Sequence, residues 1–291
     1  MTAEQSPDAS ADKYGVALNA QRFKMLEDIA SELAGEVIFP TSFDAALRLR
    51  SELQNSKLPT ARIAQIVSLE PLVASKLMRM ANSALYSPMG GEVRDLQAAI
   101  TRLGVRVVRT TALAIAMNQL MRSKEMVVFM SLTAALWDHS LKAAAAARIV
   151  ARTYTRVNPD EALLAGLIHD LGAFYMVYRA AQYPELRARP DTVKHLIVEW
   201  HESIGVTLLN ALGLSEELVN ASIDHDHWRS SPVTVRTLSD IVYVGSALDE
   251  TYVVRPHVWP DDDAGHAVRE QFAALLPAID ADVCEMRAIF S

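Results

Sequence analysis

One cysteine, Cys284, stands among 291 residues. That excludes an internal disulfide and fits a reducing compartment. Its motif holds no base partner, so no nucleophile role is assigned to it. Long apolar runs are also missing. Stretches such as Ala143 to Ala147 are too short and too alanine-rich to span a bilayer, and no membrane contact is expected. Met1 to Gln21 is polar and lacks the apolar centre of a signal peptide. A soluble, cytoplasmic protein is the expectation. Positive charge is outweighed, with 28 Lys and Arg against 35 Asp and Glu and a net charge of −7. That argues against a nucleic-acid partner, since duplex binding draws on neutralised phosphates. Period-2 alternation is absent as well. The valine-rich pieces, Val105 to Val108 and Val127 to Phe129, sit in helical contexts.

What remains is helical periodicity, and the chain is expected to be all-α. Its length exceeds what one small core needs, so two helical subdomains are expected. The boundaries read as a disordered tail over 1–21, a first subdomain over 22–125, a second over 126–250 and a C-terminal extension over 251–291. Phe43, Ala46, Leu47 and Leu53 follow helical spacing, and Pro71 starts a helix at its first position. Asp95 to Leu103 is amphipathic, with Gly104 as its stop, and a longer helix runs from Val105 to about Met121. Further helices are expected at 128–154, 160–179, 195–212, 215–226 and 234–250, and from about Gly265 onward. Ser215 reads as an N-cap.

Histidines and carboxylates recur along the second half. His169-Asp170 ends an apolar helical run, His139 opens another, and His201 and His225-Asp226-His227 follow. This is the ligand supply of a metal site inside a helical bundle. If His139, His169 and Asp170 converge, they offer two neutral nitrogens and one anionic oxygen. Such a set suits a divalent transition metal (Fe, Mn, Zn or Ni) with positions open for water. The alternative is a buried polar cluster satisfied by its own histidine–carboxylate hydrogen bonds. For His201 and His225 the alternative is a pair of partly exposed helix histidines. His227 reads as a helix-end residue near solvent, and His195, His257 and His266 as surface residues.

A second group lies in the first half. Asn82 and Tyr86 precede a loop at 87–91, and Arg102, Arg106 and Arg109 follow at helical spacing. Together Asn82, Tyr86, Arg102 and Arg106 form a candidate partner-binding patch, with Tyr86 as an amphipathic anchor. The alternatives are a helix C-terminal hydrogen-bond motif and a solvated helix face.

The motifs have a recognisable order: Ile38-Phe39-Pro40-Thr41, Glu70-Pro71-Leu72, Met80-Ala81-Asn82-Ser83-Ala84-Leu85-Tyr86 and Ala98 to Gly104 come first. Trp137-Asp138-His139-Ser140, Leu164 to Gly172, His201-Glu202-Ser203-Ile204-Gly205 and Gly213 to Leu218 follow. Over roughly residues 38–250 the chain resembles the HDOD domain, the HD-related output domain of bacterial signalling proteins. The resemblance implies an HD-like helical bundle over 126–250 and a regulatory role with a signalling protein as partner. It also implies kinship with the HD superfamily of metal-dependent phosphohydrolases. There the first metal is held by residues matching His139, His169 and Asp170, and by a later aspartate. Matching the apolar frame of Leu238, Ile241, Val242 and Leu248 puts Ser246 at that last position. Asp240 lies six residues away, a net rotation of about 240° on a helix, and faces elsewhere. Asp249 is the better substitute. Ala173 stands where active relatives carry a lysine. His201 and His225 match the second-metal cluster of the cyclic-dinucleotide-cleaving HD-GYP relatives, with Asp226 in place of a histidine. The resemblance therefore implies a degenerate HD site without efficient hydrolysis. The alternatives are a working metal-dependent phosphohydrolase on a nucleotide or cyclic dinucleotide, and a sensor binding a nucleotide ligand.

Overall fold

The structure, a computed structural model, describes residues 16–34, 58–87, 91–223, 225–227, 229, 232–249, 251–252 and 263–290. The chain is all-α, with no strand among the described residues. The first half holds α1 (Val16–Leu33), α2 (Thr60–Ser68), α3 (Pro71–Ala81) and α4 (Leu96–Met121). A 3₁₀ segment, Lys124–Phe129, leads to α5 (Met130–Tyr154), α6 (Pro159–Ile168), α7 (Leu171–Ala180) and the short α8 (Pro184–Arg187). Then come α9 (Pro190–Ala211), α10 (Glu216–Ala221), α11 (Leu238–Ala247), α12 (Asp263–Gln271) and α13 (Leu276–Phe290). No helix among the described residues is long and apolar enough to cross a membrane.

Local chemistry explains several boundaries. Asn158 caps α6 by accepting from the amides of Asp160 and Glu161, at 2.9 and 3.2 Å, with Pro159 in the first turn. Thr237 and Asp240 form a reciprocal capping box at the start of α11. Gly104, at φ 80° and ψ 157°, kinks α4 at the expected stop without ending it. Several expected bounds need correcting, and the helices expected at 215–226 and 234–250 are the shorter Glu216–Ala221 and Leu238–Ala247. The first helix begins at Val16, inside the stretch expected as a disordered tail over 1–21, because Leu18 continues the buried stripe of Met25 and Ile29. The run 160–179 is two helices, broken at His169-Asp170. The helix expected from 195 starts at Pro190, and Ser215 makes no capping side-chain bond. Residues 1–15, the expected helix of Phe43 to Leu53, loop residues 88–90 and His257 lie outside the described residues.

Two elements tie the molecule together in ways periodicity does not announce. α1 packs on α7, α8 and α9. Glu32 accepts from the Tyr175 hydroxyl at 2.6 Å and pairs with Arg179, while Gln21 accepts from the Glu185 amide at 2.9 Å. α13 packs on α5 and α3. The buried Arg148–Asp282 pair (Nε to Oδ2, 3.0 Å) and the edge-to-face contact of Trp137 with Phe290 (5.7 Å) join it to α5. From α3, Arg79 donates to the Ala288 carbonyl at 2.8 Å.

The alanine run of α5 serves close packing. A Cβ at Gly166 of α6 would lie 2.7 Å from the Ala143 carbonyl oxygen, and one at Gly245 of α11 would lie 2.8 Å from the same atom. Three helices therefore meet where side chains are smallest. Ala143 lies one turn beyond His139, on the same helix face. Between α7 and α9 the arrangement repeats. A Cβ at Gly172 would fall 1.9 Å from the His201 carbonyl oxygen and 2.6 Å from the Gly205 amide. Both close approaches stand next to a histidine of the second half.

Candidate metal centre

α5 contributes His139, the α6–α7 break His169 and Asp170, α9 His201, and the turn after α10 His225 and Asp226. All six are buried, none more than 5% exposed. His201 and His225, at 3% and 0%, are thus not partly exposed helix histidines. His227 and His195 remain largely exposed, with side chains 68% and 59% accessible, as expected.

Backbone carbonyls set the tautomers. His169 Nδ1 donates to the Gly166 carbonyl at 2.7 Å, His201 Nδ1 to Ile197 at 2.7 Å, and His225 Nδ1 to Ser222 at 2.9 Å. A carbonyl only accepts, so each Nδ1 carries a hydrogen and each Nε2 is turned inward. Asp170 lies between two imidazole pairs. Its Oδ2 is 3.4 Å from His169 Nε2 and 3.7 Å from His139 Nε2. Its Oδ1 is 3.1 Å from His225 Nε2 and 3.6 Å from His201 Nε2. Nε2 atoms also face each other, at 3.1 Å for His139 and His169 and 3.4 Å for His201 and His225. Facing nitrogens at such distances require a shared proton or a cation between them. The residues fit a metal: His139, His169 and Asp170, and Asp170, His201 and His225, are two donor sets whose atoms lie within 4.8 Å of one another.

The cluster also balances its own charge. Burial opposes the ionisation of Asp170 and Asp226, but the histidines around them hold both carboxyls below their usual range. Burial likewise opposes protonation of His225; Asp226 and the Asp170 hydrogen bond outweigh it and push its pKa up to about 10. His201 is raised against burial by Asp226 and Asp170. Burial dominates at His169, which falls to about 3. Two carboxylates thus face two imidazolium-favouring histidines.

Ser246 stands in the cluster, its Oγ 3.4 Å from His139 Nε2, where the resemblance calls for a carboxylate. Asp240 is turned away into the capping box and the Arg229 pair, at 2.8 Å. Asp249 does not replace the missing carboxylate in front of His139. It lies behind the ring, accepting from Nδ1 at 3.0 Å while Lys142 donates to its other oxygen at 3.0 Å. A carboxylate so placed fixes the orientation and tautomer of the imidazole. Ala173 is wholly buried and carries no cation toward the cluster. One participant was missed by sequence reasoning. Tyr252 donates its hydroxyl to Asp170 Oδ2, and its ring stacks on His139 with centroids 3.6 Å apart at 12°. No motif marks it; only its position three residues beyond Asp249 offered a signal.

Three of the four partner-patch residues have internal tasks. Asn82 exchanges two hydrogen bonds with the Val93 backbone, at 2.9 and 2.7 Å. Arg102 donates to the Ala81 and Gly91 carbonyls, at 3.0 and 2.9 Å, and pins the same turn. Tyr86 is half-buried rather than an exposed anchor. Arg148 lies 6.0 Å from its ring centroid, and burial pushes its hydroxyl up to about 12. Arg106 is exposed.

A model of the HDOD domain matches residues 39–228, more than half of the chain, and the protein belongs to the HDOD family. Solved structures share its fold. A presumptive metal-dependent phosphohydrolase from Shewanella amazonensis is 19% identical, with a TM-score of 0.69 over 94% of this chain and 100% of its own. An HDOD domain protein of unknown function from Geobacter sulfurreducens is 16% identical, with a TM-score of 0.60 over 91% and 98% of the two chains. A presumptive signal transduction protein from Marinobacter aquaeolei VT8 is 19% identical, with a TM-score of 0.56 over 97% of this chain and 68% of its own. No curated protein matches.

Proposed function

We propose that this protein is a cytoplasmic regulatory HDOD module that works through a signalling protein partner, with an HD cluster that holds a divalent metal without turning over a substrate. The observation that carries this reading is the sealing of the cluster. Its six side chains are at most 5% exposed. Among the described residues, three surface clefts of about 310, 370 and 650 Å³ are lined by residues other than these six. A phosphoryl substrate needs an open position at the metal and donors for its developing charge. Ser246 supplies no carboxylate, and the buried Ala173 supplies no cation. His139, His169, Asp170, His201, His225 and Asp226 would hold the metal. Bound there, a metal ion would supply Lewis acidity and a bound water of lowered pKa.

The test is hydrolysis by purified protein loaded with Mn²⁺ or Fe²⁺, against nitrophenyl phosphates, nucleotides and cyclic di-GMP. The expected rate equals that of chelator-treated protein. Robust turnover lost in both His169→Ala and Asp170→Ala would overturn the reading. It would establish the second one, a metal-dependent phosphohydrolase, which is favoured by the two donor sets sharing Asp170.

A further inference from the structure

Asp170 Oδ2 is the oxygen that faces both His139 Nε2 and His169 Nε2. It is also the oxygen that accepts from the Tyr252 hydroxyl. The same tyrosine lies flat on the His139 ring, with centroids 3.6 Å apart, and is only 7% exposed. A buried carboxylate without donors on both oxygens is costly. Here Oδ1 has His225 Nε2 at 3.1 Å, and the Tyr252 hydroxyl serves Oδ2.

We propose that Tyr252 is a built-in stand-in for the first metal: its hydroxyl satisfies the Asp170 oxygen that the His139–His169 set would offer a cation, so a cation binds only by displacing it. The proposal rests on the metal-competent reading of the cluster and adds its regulation. Three features support it. The donor reaches the carboxylate oxygen nearest His169 rather than the one held by His225. The ring is locked by stacking on a histidine of the same set, so metal entry and tyrosine departure share a wall. Ser246, beside His139 Nε2 at 3.4 Å, brings no carboxylate, so the anionic oxygen of the His139–His169–Asp170 set comes from Asp170. The tyrosine thereby makes the metal-free cluster self-sufficient and weakens metal binding. A hydrogen bond to a charged group contributes enough to set affinity by about tenfold.

Wild type, Tyr252→Phe and His169→Ala would be stripped with chelator and titrated with Mn²⁺ and Zn²⁺ by calorimetry, with melting curves at each point. Tyr252→Phe keeps the stacking ring and removes only the hydroxyl. The expected result is a lower melting temperature for the stripped variant, about tenfold tighter metal binding, and a larger metal-induced rise in melting temperature than in wild type. Unchanged or weaker binding in Tyr252→Phe would overturn the proposal. If weaker binding came with loss of a visible tyrosinate band in iron-loaded wild type, Tyr252 would be a ligand instead. His169→Ala distinguishes the underlying reading. If it bound metal as tightly as wild type, the cluster would not be the metal site and both readings would fall. Should it lose binding while Tyr252→Phe matched wild type, the stand-in role alone would fail.

Discussion

Asp249 Oδ2 lies 3.0 Å from His139 Nδ1, on the side of the imidazole opposite its cluster-facing Nε2. The carboxylate thus holds the ring with Nδ1 protonated and Nε2 turned to Asp170. Lys142 links it outward, donating to Asp249 at 3.0 Å and pairing with Asp138 at 3.1 Å. Arg287 of α13 pairs with the same Asp138. A chain of charges therefore runs from the last helix to the buried cluster.

Asp249→Asn should keep the fold but weaken metal retention by about tenfold, the usual effect of losing a carboxylate behind a ligand histidine. Metal content of the purified variant, measured after dialysis against graded chelator, checks this. Retention equal to wild type would show that Asp249 does not orient His139.

Asp282→Ala should lower stability by about 3 kcal/mol, because Arg148 is left buried and unpaired. Arg148 and Asp282 side chains are only 3% and 10% accessible. Paired replacement by Met and Leu should recover most of that loss, since an apolar pair avoids the desolvation penalty. Denaturant midpoints of wild type and the two variants decide the matter.

Gly172→Ala should damage the site from a distance. The new Cβ would fall 1.9 Å from the His201 carbonyl oxygen, a backbone atom that cannot step aside alone. α7 and α9 must separate, at about 1–3 kcal/mol or more, and His201 moves with α9. Lower stability together with lost metal binding is expected. A variant as stable as wild type would contradict the close packing.

The metal-free protein should be most stable near neutral pH and decline on both sides. His225 has its pKa raised to about 10, so its contribution is full below about 6.5, the ordinary histidine value, and is lost as pH rises through 10. Asp170 and Asp226 are depressed, so their contribution is present above about 4 and is lost as pH falls. His169, lowered to about 3, adds to the acid loss as pH drops below about 6.5. Metal binding should strengthen with rising pH, since the ligand histidines must shed protons. Melting temperatures from pH 4 to 10, with and without Zn²⁺, test both trends. A metal-free protein equally stable at pH 10 and pH 7 would remove His225 from the account.

Much of this arrangement is written locally. Apolar residues recurring every three to four positions, with Pro71, Asn158 and Gly104 as punctuation, determine an all-α chain. The small residues one turn from His139 and His201 let helices approach until imidazoles meet, so the six cluster residues were legible in order and type. Ser246 was legible through the family resemblance, whose pattern, laid on the apolar frame of this helix, marks where a carboxylate is expected.

Other features depend on contacts between residues far apart in sequence, which no local period encodes. Tyr252 meets Asp170 across 82 positions, and its role exists only where the chain returns to the cluster. Asp249 falls within the cluster's neighbourhood by spacing, yet only the tertiary structure decided that it lies behind His139 and not before it. Tyr86 reads as an exposed ring on its own turn, but α5 and α13 bring Arg148 and Asp282 near it and bury it. α1 and α13 show the same division. Their amphipathic stripes determined that each must bury a face, while the packing of α1 on α7 to α9 and of α13 on α5 and α3 was decided by complementary shapes and charges that meet only in the folded chain.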